Sequence, residues 1–247
     1  GLCPVFFLFI MTQPKVFLRA EWKHLLIANY VCNPEILQKY LPAKTELDTF
    51  NGEHLVSLVA FRFLKTKVLG IQFPFHTNFT EVNLRFYVRY NDNGNWKRGV
   101  VFIKEIVPRT MITFIANTFY NENYETMSVS SKISTKNNEL AVNYAWGLAN
   151  SFSAVASAEK NQMPVGSLAE FITEHYWGYA AIDNNNTNEY AVEHPRWLVH
   201  QIKHYDIQAN FESLYGSDFA FINQSQPHSV LLAEGSDVLV RKGKKLL

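Results

Sequence analysis

Cysteine is almost missing from this chain: of 247 residues, two are Cys, at positions 3 and 32. Two thiols build no disulfide framework, and their spacing is no metal-ligand motif, so a reducing cytoplasm is the expected compartment. Charge of one sign is missing too. Lys and Arg number 23 and Asp and Glu 22, a formal charge of +1, which gives no broad attraction to nucleic acid or to an anionic membrane. Neither is expected as a partner. The basic end "RKGKKLL" follows the last apolar strand and reads as a solvated tail. Long hydrophobic runs are scarce. The N-terminal "LCPVFFLFI" falls far short of the roughly 20 residues of a spanning helix. It also lacks the basic residues before it and the small-residue cleavage site after it that a signal peptide needs. Residues 1–10 read as an extension or a mis-assigned start, with translation beginning at Met11 and Gly1 left from cloning; a short membrane-targeting segment is the alternative. Linkers rich in Pro, Gly or Ser, low-complexity tracts and internal repeats are absent, so residues 11–247 read as one domain. Absent as well are a phosphate loop, a Rossmann fingerprint and a nucleophile elbow.

What the chain does have is apolar and aromatic mass, 47% hydrophobic and 15% aromatic residues, enough for a large core. Three stretches carry helical signals. In "AEWKHLLIANY", Trp22, Leu25, Leu26 and Ile27 fall at helical spacing. In "NPEILQKYL", Asn33 can cap and Pro34 takes the favoured first helical position. Ser167 and Glu170 form a capping-box pattern ahead of "FITEHYW". The rest is strand-like. "ELDTFNGEHLVSLVAFRFLKT" reads as a hairpin about Asn51-Gly52, and "FTEVNLRFYVRY" pairs with "GVVFIKEIV" through "NDNGNW". "TMITFIANTFY", "MSVSSKIST", "LAVNYAWGL", "WLVHQIKHYDI" and "SVLLAEGSDVLVRK" continue the series, the last with a bulge or turn at Gly235, while "ANSFSAVASAEKNQMP" reads as a mobile loop. Many strands, few helices and no βαβ alternation predict a β-rich α+β domain, antiparallel and barrel-like, with a few peripheral helices.

One strand carries the functional signal. In "FTEVNLRFYVRY", Val82, Leu84, Phe86 and Val88 alternate with Glu81, Asn83, Arg85 and Tyr87. One face is therefore apolar and the other bears a carboxylate, an amide, a guanidinium and a phenol. Glu81 and Arg85 are about 13 Å apart along such a strand, too far to pair with each other. The mixture of types is unlike a solvated face, and the opposite face is bulky, so the polar row is expected to line an enclosed space. "FYNENYETM" adds Tyr120, Glu122, Tyr124 and Glu125, and "FITEHYWGY" adds Glu174, His175, Tyr176 and Tyr179; a Glu among tyrosines can have a raised pKa, although tyrosines packed at a helix–sheet seam explain each stretch equally well. His194, His200 and His204 are close in sequence, but an extended chain holds His200 and His204 about 13 Å apart, so no metal site is expected.

The segments "LLIANYVCNPEILQKYLP", "LDTFNGEHLVSLVAFRF", "FTEVNLRFYV", "RGVVFIKEI", "FYNENYETM", "FITEHYWGY" and "VEHPRW", in this order, resemble the DUF2071 or YqjF-like family, over about Trp22 to Trp197. The resemblance implies a fold related to acetoacetate decarboxylase, a barrel-like α+β domain with an internal pocket, in a bacterial-type protein. It also implies a comparison with that enzyme's Schiff-base lysine and the lysine that lowers its pKa. The corresponding stretch here, "FYNENYETM", has no lysine, and Lys104 has no lysine neighbour in sequence to depress its pKa. Schiff-base decarboxylation is therefore not expected. Glu81 and Arg85 carry over only as pocket-lining polar groups. Two functions stay open. One is binding of a small organic acid or similar metabolite by Asn83, Arg85, Tyr87, Tyr120, Tyr124 and Glu174, with Arg85 on a carboxylate. The other is a lyase- or hydratase-like enzyme using Glu81 as acid/base. A raised Glu81 pKa in a pocket open to solvent would favour the enzyme, and a closed pocket with a neutralised Arg85 would favour binding or structure. No cofactor or metal is expected, and the oligomeric state is not legible.

Overall fold

The computed structural model describes residues 14–108 and 122–246. The sequence expectations for residues 1–10, for the strand "TMITFIANTFY" and for Tyr120 lie outside the described residues. The strands are β1 (Val16–Val31), β2 (Glu46–Leu47), β3 (Leu55–Val68), β4 (Phe79–Asp92), β5 (Asn95–Val107), β6 (Tyr124–Thr126) and β7 (Val129–Lys136). They continue as β8 (Glu139–Trp146), β9 (Asn150–Gln162), β10 (Trp177–Asp183), β11 (Asn186–Glu193), β12 (Leu198–Gln208), β13 (Ser229–Arg241) and β14 (Lys244–Leu246). Among the described residues three short helices join them: α1 (Pro34–Gln38), α2 (Leu168–Thr173) and α3 (Phe211–Tyr215), the last followed by a 3₁₀ segment, Ser217–Gln224.

Seven strands pair in a closed circuit. The path runs β11–β10–β5–β4–β3–β1–β13, and β13 returns to β11 through Val192 opposite Val240 and Glu193 opposite Leu239. From β13 the sheet also continues outward through β12, β9, β8 and β7 and folds over the ring. The expected β-rich α+β class holds. The antiparallel expectation needs one correction: β10 and β6 both run parallel to β5.

Two cores follow from this closure. The outer one packs Leu26, Ala28, Leu58, Leu84 and Phe86 of the ring against Tyr144, Trp146 and Phe152 of the covering strands. The inner one collects Leu25, Ile27, Phe61, Phe63, Tyr87, Val100 and Phe171. The ring strands are thus covered on both faces, which is why they read as near-continuous apolar runs.

That burial explains the main misreading of the sequence. The stretch 20–30, expected as a helix, lies within β1. Its register slips between Lys23 and Leu26, where His24 takes φ 55°. The bulge places Trp22 and Leu25, three residues apart, on the same inward face, and so imitates helical spacing. The expected loop 149–164 is mostly strand, β9, with Phe152, Ala154 and Ala156 turned inward. The turn at Asn51-Gly52 forms, with φ of 51° and 85°. Its upstream arm pairs only as Phe50 with Glu53, however, since β2 hydrogen-bonds to β4 instead of β3. Caps behave as written in the sequence: Asn33 Oδ1 accepts from Glu35 N, and Ser167 Oγ accepts from Glu170 N.

Gly235 faces the β1 bulge, opposite Lys23, with φ 80°, and a Cβ there would lie 2.0 Å from the Trp22 carbonyl oxygen. Both the dihedral and the approach demand glycine. Gly235→Ala is expected to cost at least about 2 kcal/mol of stability, measured by urea denaturation; an unchanged midpoint would contradict this account of the β1–β13 seam.

Candidate functional site

The inside of the ring is not filled. A cavity of ≈ 140 Å³ occupies it, with lining residues from all seven ring strands, among them Trp22, Phe63, Glu81, Val100, Trp177, Tyr190 and Val240. Alternation puts Phe79, Glu81, Asn83 and Arg85 of β4 on this inward side, while Val82, Leu84 and Phe86 enter the outer core. On β5 an extra residue at Ile103 shifts the register, since Leu84 lies opposite Lys104 but Arg85 opposite Phe102. Phe102 and Glu105 therefore both face inward, three residues apart.

Three carboxyls meet at the polar end: Glu81, Glu105 and Glu122, all buried. Glu81 Oε1 accepts from Asn83 Nδ2 at 2.9 Å and its Oε2 from the Tyr124 hydroxyl at 3.4 Å. Glu122 Oε1 accepts from the Tyr190 hydroxyl at 2.7 Å. Tyr190 reaches it because its ring lies against Gly178, where a Cβ would come within 2.1 Å of the ring. Glu105 is a hydrogen-bonding neighbour of Glu81, an arrangement that needs a proton between two acids. Its Oε2 receives no donor from any described residue. Burial dominates the electrostatics here. It pushes Glu81 up to about 7, against the opposing hydrogen bonds of Asn83 and Tyr124. It pushes Glu122 up to about 8, against the Tyr190 hydroxyl. Glu105 rises well above the carboxylate range through burial and then the neighbouring charges of Glu81 and Glu122.

The cation beside them is Arg85, 8% exposed. Its Nη2 donates to the Ile172 carbonyl at a long 3.5 Å, and its guanidinium lies 5.8 Å from the Tyr87 ring. Its Nε has no acceptor, and no carboxylate pairs with it among the described residues. Leaving a buried Nε–H without an acceptor costs about 1–3 kcal/mol. His175 stands near it at the end of α2. Its Nε2 is 3.3 Å from Asp48 Oδ2, which also accepts from Arg98 Nε at 2.7 Å, while its Nδ1 has no partner among the described residues. Burial would raise Asp48, but the His175 and Arg98 hydrogen bonds hold it below the usual carboxylate range. Burial holds His175 down, to about 4, so the ring is neutral at pH 7. His194, stacked on Trp197 at 4.0 Å, is likewise depressed to about 4 by burial.

The residues expected from the sequence are not all brought together. Glu81, Asn83, Arg85 and Tyr124 line the cavity. Tyr87 is buried beneath it, its hydroxyl 2.7 Å from Ser57 Oγ and its ring packed 4.8 Å from His175. Glu174 points away from the lining and accepts from Tyr176. Glu105 and Tyr190 escaped the sequence reading, Glu105 because the bulge that aims it inward has no sequence mark. Lys104 is on the other side of β5, donating to the Leu214 carbonyl at 2.5 Å and pairing with Glu125 at 2.8 Å. No lysine lines the cavity among the described residues. His200 is turned to Glu234 at 3.2 Å, and register shifts separate it from the exposed His204. Among the described residues no three His, Cys, Asp or Glu side chains converge as a metal-ligand set, and no helix is long and apolar enough to cross a membrane.

A closed ring of strands around a cavity with a buried acid cluster defines the class: an α+β protein of the acetoacetate-decarboxylase fold. The structure superposes on an acetoacetate decarboxylase from Legionella pneumophila with a TM-score of 0.63 at 14% identity, covering 96% of this chain and 90% of that one. It matches an acetoacetate decarboxylase-like enzyme from Sphingomonas wittichii RW1 with a TM-score of 0.61 at 11% identity, covering 99% of each. For the enduracididine biosynthesis enzyme MppR, complexed with pyruvate, the TM-score is 0.62 at 10% identity, over 96% and 92% of the two chains. Within that class, residues 19–237 match the DUF2071 model, described as an uncharacterized conserved protein, and the chain belongs to this family. It is 29% identical over 194 residues to the uncharacterized protein YqjF of Bacillus subtilis (strain 168), covering 74% of each.

The raised acids set the pH dependence of stability. An unfolded Glu loses its proton near 4.5, whereas folded Glu122 keeps it to about 8. Between those values the native state holds the extra proton, so stability falls as pH rises. Glu122→Gln, which keeps an acceptor for Tyr190 but cannot ionise, is expected to raise the melting temperature at about pH 8.5 more than at about pH 5. Equal shifts at both pH values would show that Glu122 is not held protonated.

Proposed function

We propose that this cavity binds a small organic acid or similar metabolite, with the ligand's carboxylate on Arg85. The observation that carries the reading is the unspent guanidinium: buried, without an ion-pair partner among the described residues, and in a cavity whose glutamates are protonated enough not to neutralise it. A planar fork of that kind suits a carboxylate. The protonated glutamates donate hydrogen bonds to the same ligand, and the aromatic walls exclude water. A second reading has its own support. Glu81, pushed up to about 7, is balanced between acid and base near neutral pH, in a pocket whose lining includes the half-buried Phe73 and His76. In that reading Glu81 moves a proton to or from the bound acid in a lyase- or hydratase-like step, with no Schiff base. Both readings share the same bound state.

The test is a thermal-shift and calorimetric screen of small carboxylic and keto acids. A true ligand at about 100 times its Kd adds about 2.7 kcal/mol to stability. Arg85→Ala, checked for folding by near-ultraviolet circular dichroism, is expected to weaken binding about 10- to 100-fold, the effect of a lost charged hydrogen bond. Affinity is expected to decline above about pH 8, as the glutamates ionise and repel the carboxylate. Undiminished binding in folded Arg85→Ala contradicts the reading.

A further inference from the structure

The cavity has two chemically different ends. Its polar groups, Glu81, Asn83, Arg85, Glu105 and Glu122, are all at least nine-tenths buried. Its half-buried lining residues are mostly apolar: Leu18, Val68, Phe73, Phe79 and Trp22. The strand registers order these along one axis. Leu18 lies opposite Val68, Trp22 opposite Phe63, Phe63 opposite Phe79, Phe61 opposite Glu81, and Ser57 opposite Arg85. Phe79 is six residues from Arg85 on β4, about 20 Å along the strand. Between mouth and base stands an aromatic sleeve. Trp22 packs on Phe61 at 5.0 Å and on Phe63 at 5.6 Å, and Phe63 stacks on Phe79 at 4.5 Å. Beyond the mouth, the β3–β4 connection exposes Leu69 at 66%, Ile71 at 59% and Phe75 at 82%. A predominantly apolar path, with Thr66 and His76 as its polar members, therefore leads from the surface toward the buried acid cluster.

Size points the same way. A buried water needs roughly 10–15 Å³ of such space, so ≈ 140 Å³ holds on the order of ten waters, or about ten to fifteen non-hydrogen atoms. An acid of three or four carbons fills the polar end and leaves the sleeve wet. Leaving apolar walls wet forfeits about 25 cal/mol per Å².

We infer that the ligand class is an amphipathic monocarboxylic acid, an alkyl or aryl chain of roughly six to ten carbons on a carboxylate, its head at Arg85 and its chain in the sleeve formed by Trp22, Phe61, Phe63 and Phe79. This rests on the carboxylate reading of Arg85 and adds the chain. The polar end fixes the head and the aromatic sleeve measures the length.

The experiment is calorimetric titration of wild type with straight-chain monocarboxylates of increasing length, below their micelle concentrations, alongside the matching primary alcohols. Affinity is expected to rise about fourfold per added CH₂ and to stop rising near the length the cavity holds. Val68→Trp, which narrows the mouth half, is expected to stop the rise at a shorter chain. Short acids that bind through Arg85 with no gain on lengthening would overturn this inference while leaving the carboxylate reading intact. Acids that bind no tighter than the matching alcohols, with affinities that Arg85→Ala leaves unchanged, would support the sleeve and overturn the carboxylate reading. No binding by any member of the series would overturn both.

Discussion

A row of polar side chains on one strand can be buried only if the sheet closes over it, and everything in this structure follows from that closure. The last link is short, two residue pairs between β11 and β13. It turns the inward face of β4 from a wet surface into the wall of a cavity. Once there, Glu81 loses most of its hydration, and so do Glu105 and Glu122, which arrive from β5 and from the segment before β6. Ionising three acids in one small volume is costly, so protons remain on them at pH values where an exposed glutamate has none. The raised acids, the uncommitted Arg85 and the neutral His175 are consequences of the same enclosure.

The arrangement separates charge from structure. Ordinary buried ion pairs satisfy each other and close the matter. Here Asp48 and Arg98 do pair, and by doing so hold His175. Arg85 pairs with no carboxylate among the described residues, although three carboxyls share its cavity; those carboxyls are held instead by Asn83, Tyr124, Tyr190 and shared protons. The same fold in acetoacetate decarboxylases shows that the ring is a frame onto which sites are set; in this chain the frame carries acids and no lysine among the described cavity residues.

Much of this was legible in the sequence, for identifiable reasons. The alternation of Glu81, Asn83 and Arg85 with Val82, Leu84 and Phe86 announces a strand with two buried faces, since neither side has the composition of a solvated surface. The caps at Asn33 and Ser167 and the turn at Asn93-Gly94 are local chemistry and were readable locally. What escaped was set by bulges and long-range pairing. His24 and Ile103 each add a residue to a strand, and each changes which side chains face inward: the first made β1 look helical, the second hid Glu105. Tyr190 lines the site because Gly178, on another strand, leaves room for its ring. Tyr87 and Glu174 carry the right chemistry but hydrogen-bond to Ser57 and Tyr176, partners that no local pattern names.

The central claim is that burial keeps protons on the acids inside the ring well above the pH at which an exposed glutamate ionises. The most direct test is infrared spectroscopy of the protein in D₂O, with the protonated-carboxyl stretching band assigned by Glu81→Gln, Glu105→Gln and Glu122→Gln. The account predicts a protonated-carboxyl band at pH 7 that weakens in each variant and fades in wild type as pH rises past about 8. A spectrum at pH 7 with every glutamate in the carboxylate band would contradict it, and would mean that the cavity is wet enough to hydrate its charges.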